Sequence, residues 1–264
     1  MRQLKNAFSF VAACAGFRER VAMASWLGWF ELRRRLQPRR EAVKTLSFRG
    51  LKLCLDWRSS EHVPLREILI REEYWPEPAF RPSVGQSIVD VGANAGIYCV
   101  HAATQVGNRG RVIAIEPNPA VVARLRRNVL INAVDDVCTV IPAAISNEAG
   151  VGSLVVSANT AISHLAEPGQ SGVTVQVRTL DEVVGGFNLA GIDLMKIDVE
   201  GAELGVLQGG ALSVRRARRI VVEVSEATAE GVDTELRQAG FSRVFHVDVG
   251  RGAEGRLIFG ERNP

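Results

Sequence analysis

The chain has 264 residues, 47% hydrophobic and 23% charged, which is enough apolar material for a core of domain size and excludes a disordered chain. Its formal net charge of +3 is uneven, because residues 1–50 hold 11 Lys/Arg against 3 Asp/Glu and the rest of the chain is net acidic. That acidity argues against a nucleic-acid partner, and four scattered cysteines with no C-x-x-C pair argue against a zinc site or a disulfide framework and favour a reducing, cytoplasmic setting.

In chain order, residues 5–35 lack proline and keep recurring apolar positions, which predicts one or two helices ending before Gln37-Pro38. The apolar stretches Phe8 to Phe17 and Val21 to Phe30, split by Arg18-Glu19-Arg20, are too short to span a bilayer, and the apolar run before the cleavage-like Ala13-Cys14-Ala15 is too short for a normal signal h-region. Arg33, Arg34, Arg35, Arg39 and Arg40 read as the solvated end of a helix, with peripheral membrane contact or an acidic partner as the alternative.

Leu46-Ser47-Phe48 and Leu51 to Leu55 flank Arg49-Gly50 as a two-stranded hairpin, and Glu61 to Glu73 carries helical spacing at Val63, Leu65, Ile68 and Leu69. Pro76, Pro78 and Pro82 mark the join between an N-terminal helical and hairpin extension, residues 1–75, and a main domain, residues 76–264.

In the main domain apolar strands alternate with helical segments: Ser87 to Val91, Ala95 to Val106, Arg111 to Ile115, Pro119 to Asn132 and Val137 to Ile141. This predicts right-handed β-α-β units and a parallel sheet, an α/β fold. Gly152 to Ser157 and Val173 to Arg178 then read as an inserted hairpin around a polar loop containing Asn159, Thr160, Ser163 and His164. Strand Leu194 to Val199, a helix near Ala202 to Gln208, strand Arg219 to Val224 and helix Ala229 to Ala239 follow, and strands Phe241 to Val247 and Arg256 to Gly260 close the domain as an antiparallel pair.

The stretch Ile88 to Tyr98 is a strand, a glycine turn and a helix start, the element that holds a nucleoside cofactor. Gly92 frees the turn, Ala93 and Asn94 follow it, and Gly96 lets the helix pack closely, with Asn94 tolerating unusual backbone angles and offering an amide. The spacing is G-x-x-x-G and not G-x-G-x-x-G, and Asp90 sits in the strand itself. A carboxylate there repels a pyrophosphate and suits a cation bearing an α-amino group and a sulfonium.

Twenty-six residues on, Glu116 ends a second strand where a carboxylate can accept both ribose hydroxyls, and Asn118 can cap the helix that Pro119 begins. Ala143 and Ala144 after the third strand are small enough to face an adenine ring, or simply to pack.

Val89 to Gly96, Ile115 to Pro119, Asn128 with Asn132, and Met195 to Glu203 together resemble the FkbM family of methyltransferases, over roughly residues 70–225 and including Glu73-Tyr74 and Thr179 to Glu182. The resemblance implies a class I methyltransferase fold, with a mostly parallel, Rossmann-like seven-stranded sheet and an antiparallel last strand. It also implies S-adenosylmethionine as methyl donor and O-methylation of a hydroxyl on a sugar or other natural product, so a small-molecule or glycan acceptor.

Asp198 ends the fourth strand at the edge where open α/β sheets bind ligands, and is the first candidate to accept the proton of the attacking hydroxyl. Glu200 is the second candidate and His164 the third. Glu203 reads as helix-end charge complementarity and Lys196 as the partner of a carboxylate. No metal site is assigned, although Asp198 and Glu223 end neighbouring strands and a shared divalent ion stays open. The alternatives are a nicotinamide-dependent Rossmann oxidoreductase, disfavoured by Asp90 and the glycine spacing, and a noncatalytic binding module. The sequence sets neither the acceptor nor the oligomeric state.

Overall fold

The computed structural model describes residues 43–56, 61–156, 163–165, 170–249 and 255–263, with isolated positions between 11 and 25. Most of the helical stretch expected over residues 5–35, the basic group at 33–40, and Asn159 and Thr160 lie outside the described residues.

Strands β1 (Val43–Phe48) and β2 (Leu51–Asp56) form the expected antiparallel hairpin, turning through Arg49 and Gly50, both at positive φ. The helical spacing of residues 61–73 becomes a short turn, His62–Pro64, that runs into a π-helical segment, Leu65–Ile70; together they are α1.

The main sheet has seven strands. These are β3 (Ser87–Val91), β4 (Arg111–Ile115), β5 (Cys138–Ile141), β10 (Ile192–Ile197), β11 (Ala217–Val224), β12 (Arg243–Asp248) and β13 (Arg256–Glu261), in the order β12-β13-β11-β10-β3-β4-β5. Neighbours from β5 to β11 pair parallel, and β13 runs antiparallel to both β11 and β12. Strand order reverses between β4 and β10 on either side of β3, so a crevice opens at the carboxyl ends of these strands.

Alternation along each strand splits the core in two. Ile88, Val112, Ala114, Leu194 and Val221 face one layer, which holds β1, β2, α1, α2 (Ile97–Val106), α3 (Pro119–Ile131), Trp75 and Phe80. Val89, Ile113, Met195, Ile197 and Ile220 face the other, covered by α4 (Leu180–Gly185), α5 (Glu203–Gly209), α6 (Ala211–Arg216) and α7 (Ala229–Gln238).

The inserted hairpin is larger than the alternation suggested. Strands β6 (Ala144–Ile145), β7 (Gly150–Val156), β8 (Ser163–Leu165) and β9 (Val173–Arg178) make a second sheet in the order β6-β9-β7-β8. Residues 163–165, read from sequence as polar loop, pair with β7 because Leu165 opposite Leu154 joins a small cluster with Ala144, Val175 and Val177.

Several motif residues serve the scaffold. Asn128 imitates a neighbouring strand: its Oδ1 accepts from Cys54 N–H (2.6 Å), and its Nδ2 donates to Cys54 O (3.0 Å) and Ala95 O (2.7 Å). Asn132 does the same with Lys52, at 2.9 and 2.7 Å, so α3 carries the hairpin edge on side-chain amides. Thr179 and Glu182 form a capping box on α4, and Asp181 accepts from Leu212 and Ser213 N–H at the start of α6. Among the described residues no helix is long and apolar enough to cross a membrane.

Candidate functional site

The crevice above β3, β4 and β10 holds a cavity of about 170 Å³. Its floor and walls are Val91, Gly92, Asn94, Ile115, Glu116, Pro117, Ala143, Ala144 and Ile145, then Asp198 to Glu200, Ala202 and Glu223. Val63, Pro64 and Glu67 of α1 close one side, and Leu154, His164 and Leu165 of the second sheet close another. Five of these side chains are carboxylic acids, and no Lys or Arg stands among the described lining residues.

The glycine turn is built by close approach. Gly92 has φ +80°, and a Cβ added there would lie 1.8 Å from the carbonyl oxygen of Asp198; only glycine lets the ends of β3 and β10 meet at this distance. The N–H groups of Gly92 and Ala93 both donate to Ile115 O, at 3.0 and 2.9 Å. Asn94 takes φ +49°, and its Oδ1 accepts from Ala95 N–H at 2.6 Å, so the oxygen end of the amide is used within the turn.

Glu116 is held open to the crevice by the backbone on both sides. Asn94 N–H donates to Oε2 (3.0 Å) and Asn118 N–H to Oε1 (2.8 Å). Burial pushes its carboxyl pKa up to about 7, against these two hydrogen bonds. Each carboxylate oxygen keeps a further lone pair, which suits it to a vicinal diol.

Four residues expected at the cofactor, Asp90, Ala93, Gly96 and Asn118, are not among the residues that line the cavity. Asp90, expected to act on the ligand directly or through water, is fully buried, and its Oδ1 pairs with Lys196 Nζ at 3.1 Å. The reason is register: Asp90 and Lys196 are opposite each other on β3 and β10, so their side chains leave the same face of the sheet. Gly96, at φ +88°, sits where a Cβ would meet Leu125 Cδ1 at 2.4 Å, which makes it a packing residue of α2. Asn118 caps α3 through Ala120 N–H (3.1 Å), and Ala93 is 4% exposed within the turn.

At the reacting side Asp198 lies one residue past β10 and lines the crevice. Lys196 Nζ stands 3.3 Å from Asp198 Oδ2 and donates to Gly92 O at 3.3 Å. Burial lowers the ammonium pKa, but Asp90 and then Asp198 outweigh it and hold Lys196 above its ordinary value, so it stays charged. Burial drives the Asp90 carboxyl up while Lys196 opposes the rise.

Tyr74, which the sequence placed in the approach without a role, reaches this cluster. Its hydroxyl donates to Glu223 Oε2 and stands 3.3 Å from Asp198 Oδ2. Burial, then the Asp198 and Glu223 charges, push the phenol well above its ordinary pKa and keep it a donor. The Tyr74 hydroxyl thus contacts both carboxylates that the sequence left open to a shared divalent ion. Among the described residues no group of three or more His, Cys, Asp and Glu is arranged to hold a metal ion.

Glu200 is exposed on the crevice rim at φ +50°, a left-handed conformation that is costly for a non-glycine residue and typical of functional turns. Glu203 is 2% exposed and accepts from Gly201 N–H at 2.7 Å, which makes it a turn-holding residue. His164, on β8 opposite Val155, is exposed at the crevice mouth.

Comparison with known proteins agrees with this geometry. The chain is 25% identical over 232 residues to the AMB antimetabolite synthetase AmbE of Pseudomonas aeruginosa, a match covering 71% of this chain and 11% of AmbE. The chain thus spans about a tenth of the length of the curated relative it matches. The crystal structure of Methyltransferase FkbM from Methylobacillus flagellatus KT superposes with a TM-score of 0.53 at 13% identity, covering 98% of this chain and 59% of that one, which shows a common class I methyltransferase fold. The family described as the Methyltransferase FkbM domain matches residues 90–243, from Asp90 to the first residue of β12. The chain belongs to the FkbM methyltransferase family.

Proposed function

We propose that the chain transfers a methyl group from S-adenosylmethionine to a hydroxyl of a sugar or other natural product. The observation that carries this reading is Glu116, a strand-end carboxylate presented to the crevice by two backbone N–H groups beside the Gly92 turn. The residues present fit the donor. Glu116 suits the ribose diol, Ile115, Ala143, Ala144 and Ile145 offer an apolar slot for adenine, and a carboxylate-lined wall favours a cation.

When bound, the donor supplies an electrophilic methyl on a sulfonium. The chain aligns the acceptor oxygen against it and keeps water out. Asp198 is placed to accept the acceptor's hydroxyl proton, with Lys196 and Tyr74 fixing its carboxylate. Glu200 and His164 stand at the mouth, where an acceptor enters. The name of AmbE, an antimetabolite synthetase, supports a natural-product acceptor.

The test is a methyl-transfer screen with labelled donor against glycans, lipid-linked sugars and small hydroxylated metabolites. Label in an ether product supports the reading. Label on nitrogen or carbon, or none in any acceptor with a saturating donor, defeats it.

A further inference from the structure

Strand register puts a buried charge pair directly behind the crevice wall. Asp90 and Lys196 are 0% and 2% exposed, and neither lines the cavity. The Lys196 ammonium nevertheless lies 3.3 Å from Gly92 O and 3.3 Å from Asp198 Oδ2, and those two residues do line it. Lys196 thereby ties the glycine turn to Asp198, and its charge also reaches through the wall. A cation in the crevice against Gly92 and Asp198 feels that ammonium from behind.

Resting on the donor assigned above, we propose that Asp90 cancels the Lys196 charge so that the site accepts the cationic donor as readily as its neutral product, S-adenosylhomocysteine. The two ligands share adenosine, α-amino and carboxyl groups and differ by a methyl and one positive charge, so the ratio of their affinities isolates the electrostatic effect. A unit charge behind the wall of a half-hydrated crevice changes that ratio by about tenfold.

The experiment measures dissociation constants of S-adenosylmethionine and S-adenosylhomocysteine by calorimetry for the parent, Asp90→Asn, Lys196→Met and the double variant. Asp90→Asn should weaken the donor relative to the product by about tenfold, whereas Lys196→Met, in which burial leaves Asp90 protonated and neutral, should stay within about twofold of the parent ratio. The double variant, a neutral pair of nearly the same volume and the one least at risk of misfolding, should return within about twofold of the parent ratio.

Because each ratio is taken on one protein, loss of stability cancels. If Asp90→Asn does not fold, Asp90→Ser, neutral and smaller, must still differ about tenfold from the double variant. Equal ratios overturn the inference. Equal weakening of both ligands in Asp90→Asn also overturns it, since that would mean Asp90 serves a group the two share. A parent that binds both ligands while all ratios stay fixed refutes the charge balance and leaves the proposed function standing; a parent that binds neither removes both.

Discussion

Glu116 offers the sharpest quantitative test, because its environment places its titration in an accessible range. Its pKa is raised to about 7 by burial, and only the ionised form presents two acceptor oxygens to a ribose diol. At pH 6 about a tenth of the folded protein carries that form and at pH 8 about nine tenths, so affinity for S-adenosylhomocysteine should rise about tenfold between them and level off above. Calorimetric titration at half-unit steps measures this directly. The ligand's own amino and carboxyl groups do not titrate across most of that interval, and Glu116→Gln isolates the contribution of Glu116. The variant should bind about 10- to 100-fold more weakly at pH 8 and show no slope.

The ligand-free protein supplies the opposite sign. A carboxyl whose folded pKa is raised keeps its proton after the unfolded chain has lost it, so its favourable contribution is complete below about pH 4.5 and disappears as pH rises through about 7. The change is on the order of 3 kcal/mol, and Glu116→Gln should flatten it in denaturant melts taken from pH 4.5 to 7.5. Affinity that is level from pH 6 to 8 in the parent, or an undiminished slope in Glu116→Gln, would refute the reasoning.

Three further outcomes follow from the geometry. Gly92→Ala forces a Cβ to within 1.8 Å of Asp198 O at φ +80°; it should cost on the order of 2–4 kcal/mol in thermal unfolding and abolish S-adenosylhomocysteine binding. Asn128→Ala removes three side-chain hydrogen bonds to Cys54 and Ala95, and should lower stability by about 2–4 kcal/mol with cofactor affinity little changed once folded. Asp198→Asn should slow methyl transfer by about 100-fold or more in single turnover while leaving S-adenosylhomocysteine affinity within about threefold; transfer at the parent rate would move the base elsewhere.

Much of the fold was legible because strands, turns and helix starts carry local signals. Gly92 with Asn94, Glu116 with Pro117, and Asp198 with Gly201 each mark a strand end, and the structure brings all three to one crevice. What the sequence does not carry is register. The place of Asp90 in its strand suits it to a cation; only the pairing of β3 with β10 shows that Lys196 is its partner in the fold.

Tyr74 was similarly hidden. It reaches Asp198 and Glu223 across 124 and 149 residues, a separation no local pattern encodes. Strand β8 was missed because its three residues are mostly polar and hold their place through one leucine pair, Leu154 with Leu165. Glu203 stands in the first turn of α5 as its helix-end reading expects, and its contact with Gly201 N–H is the part the sequence did not show.

The account stands most directly on where the donor's product binds. In a crystal structure of the protein with S-adenosylhomocysteine, the ribose hydroxyls should lie within hydrogen-bonding distance of Glu116, the adenine against Ala143 and Ala144, and the sulfur beside Gly92 and Asp198. Density for the ligand outside this crevice, or a crevice closed by the protein's own side chains at saturating ligand, would contradict it.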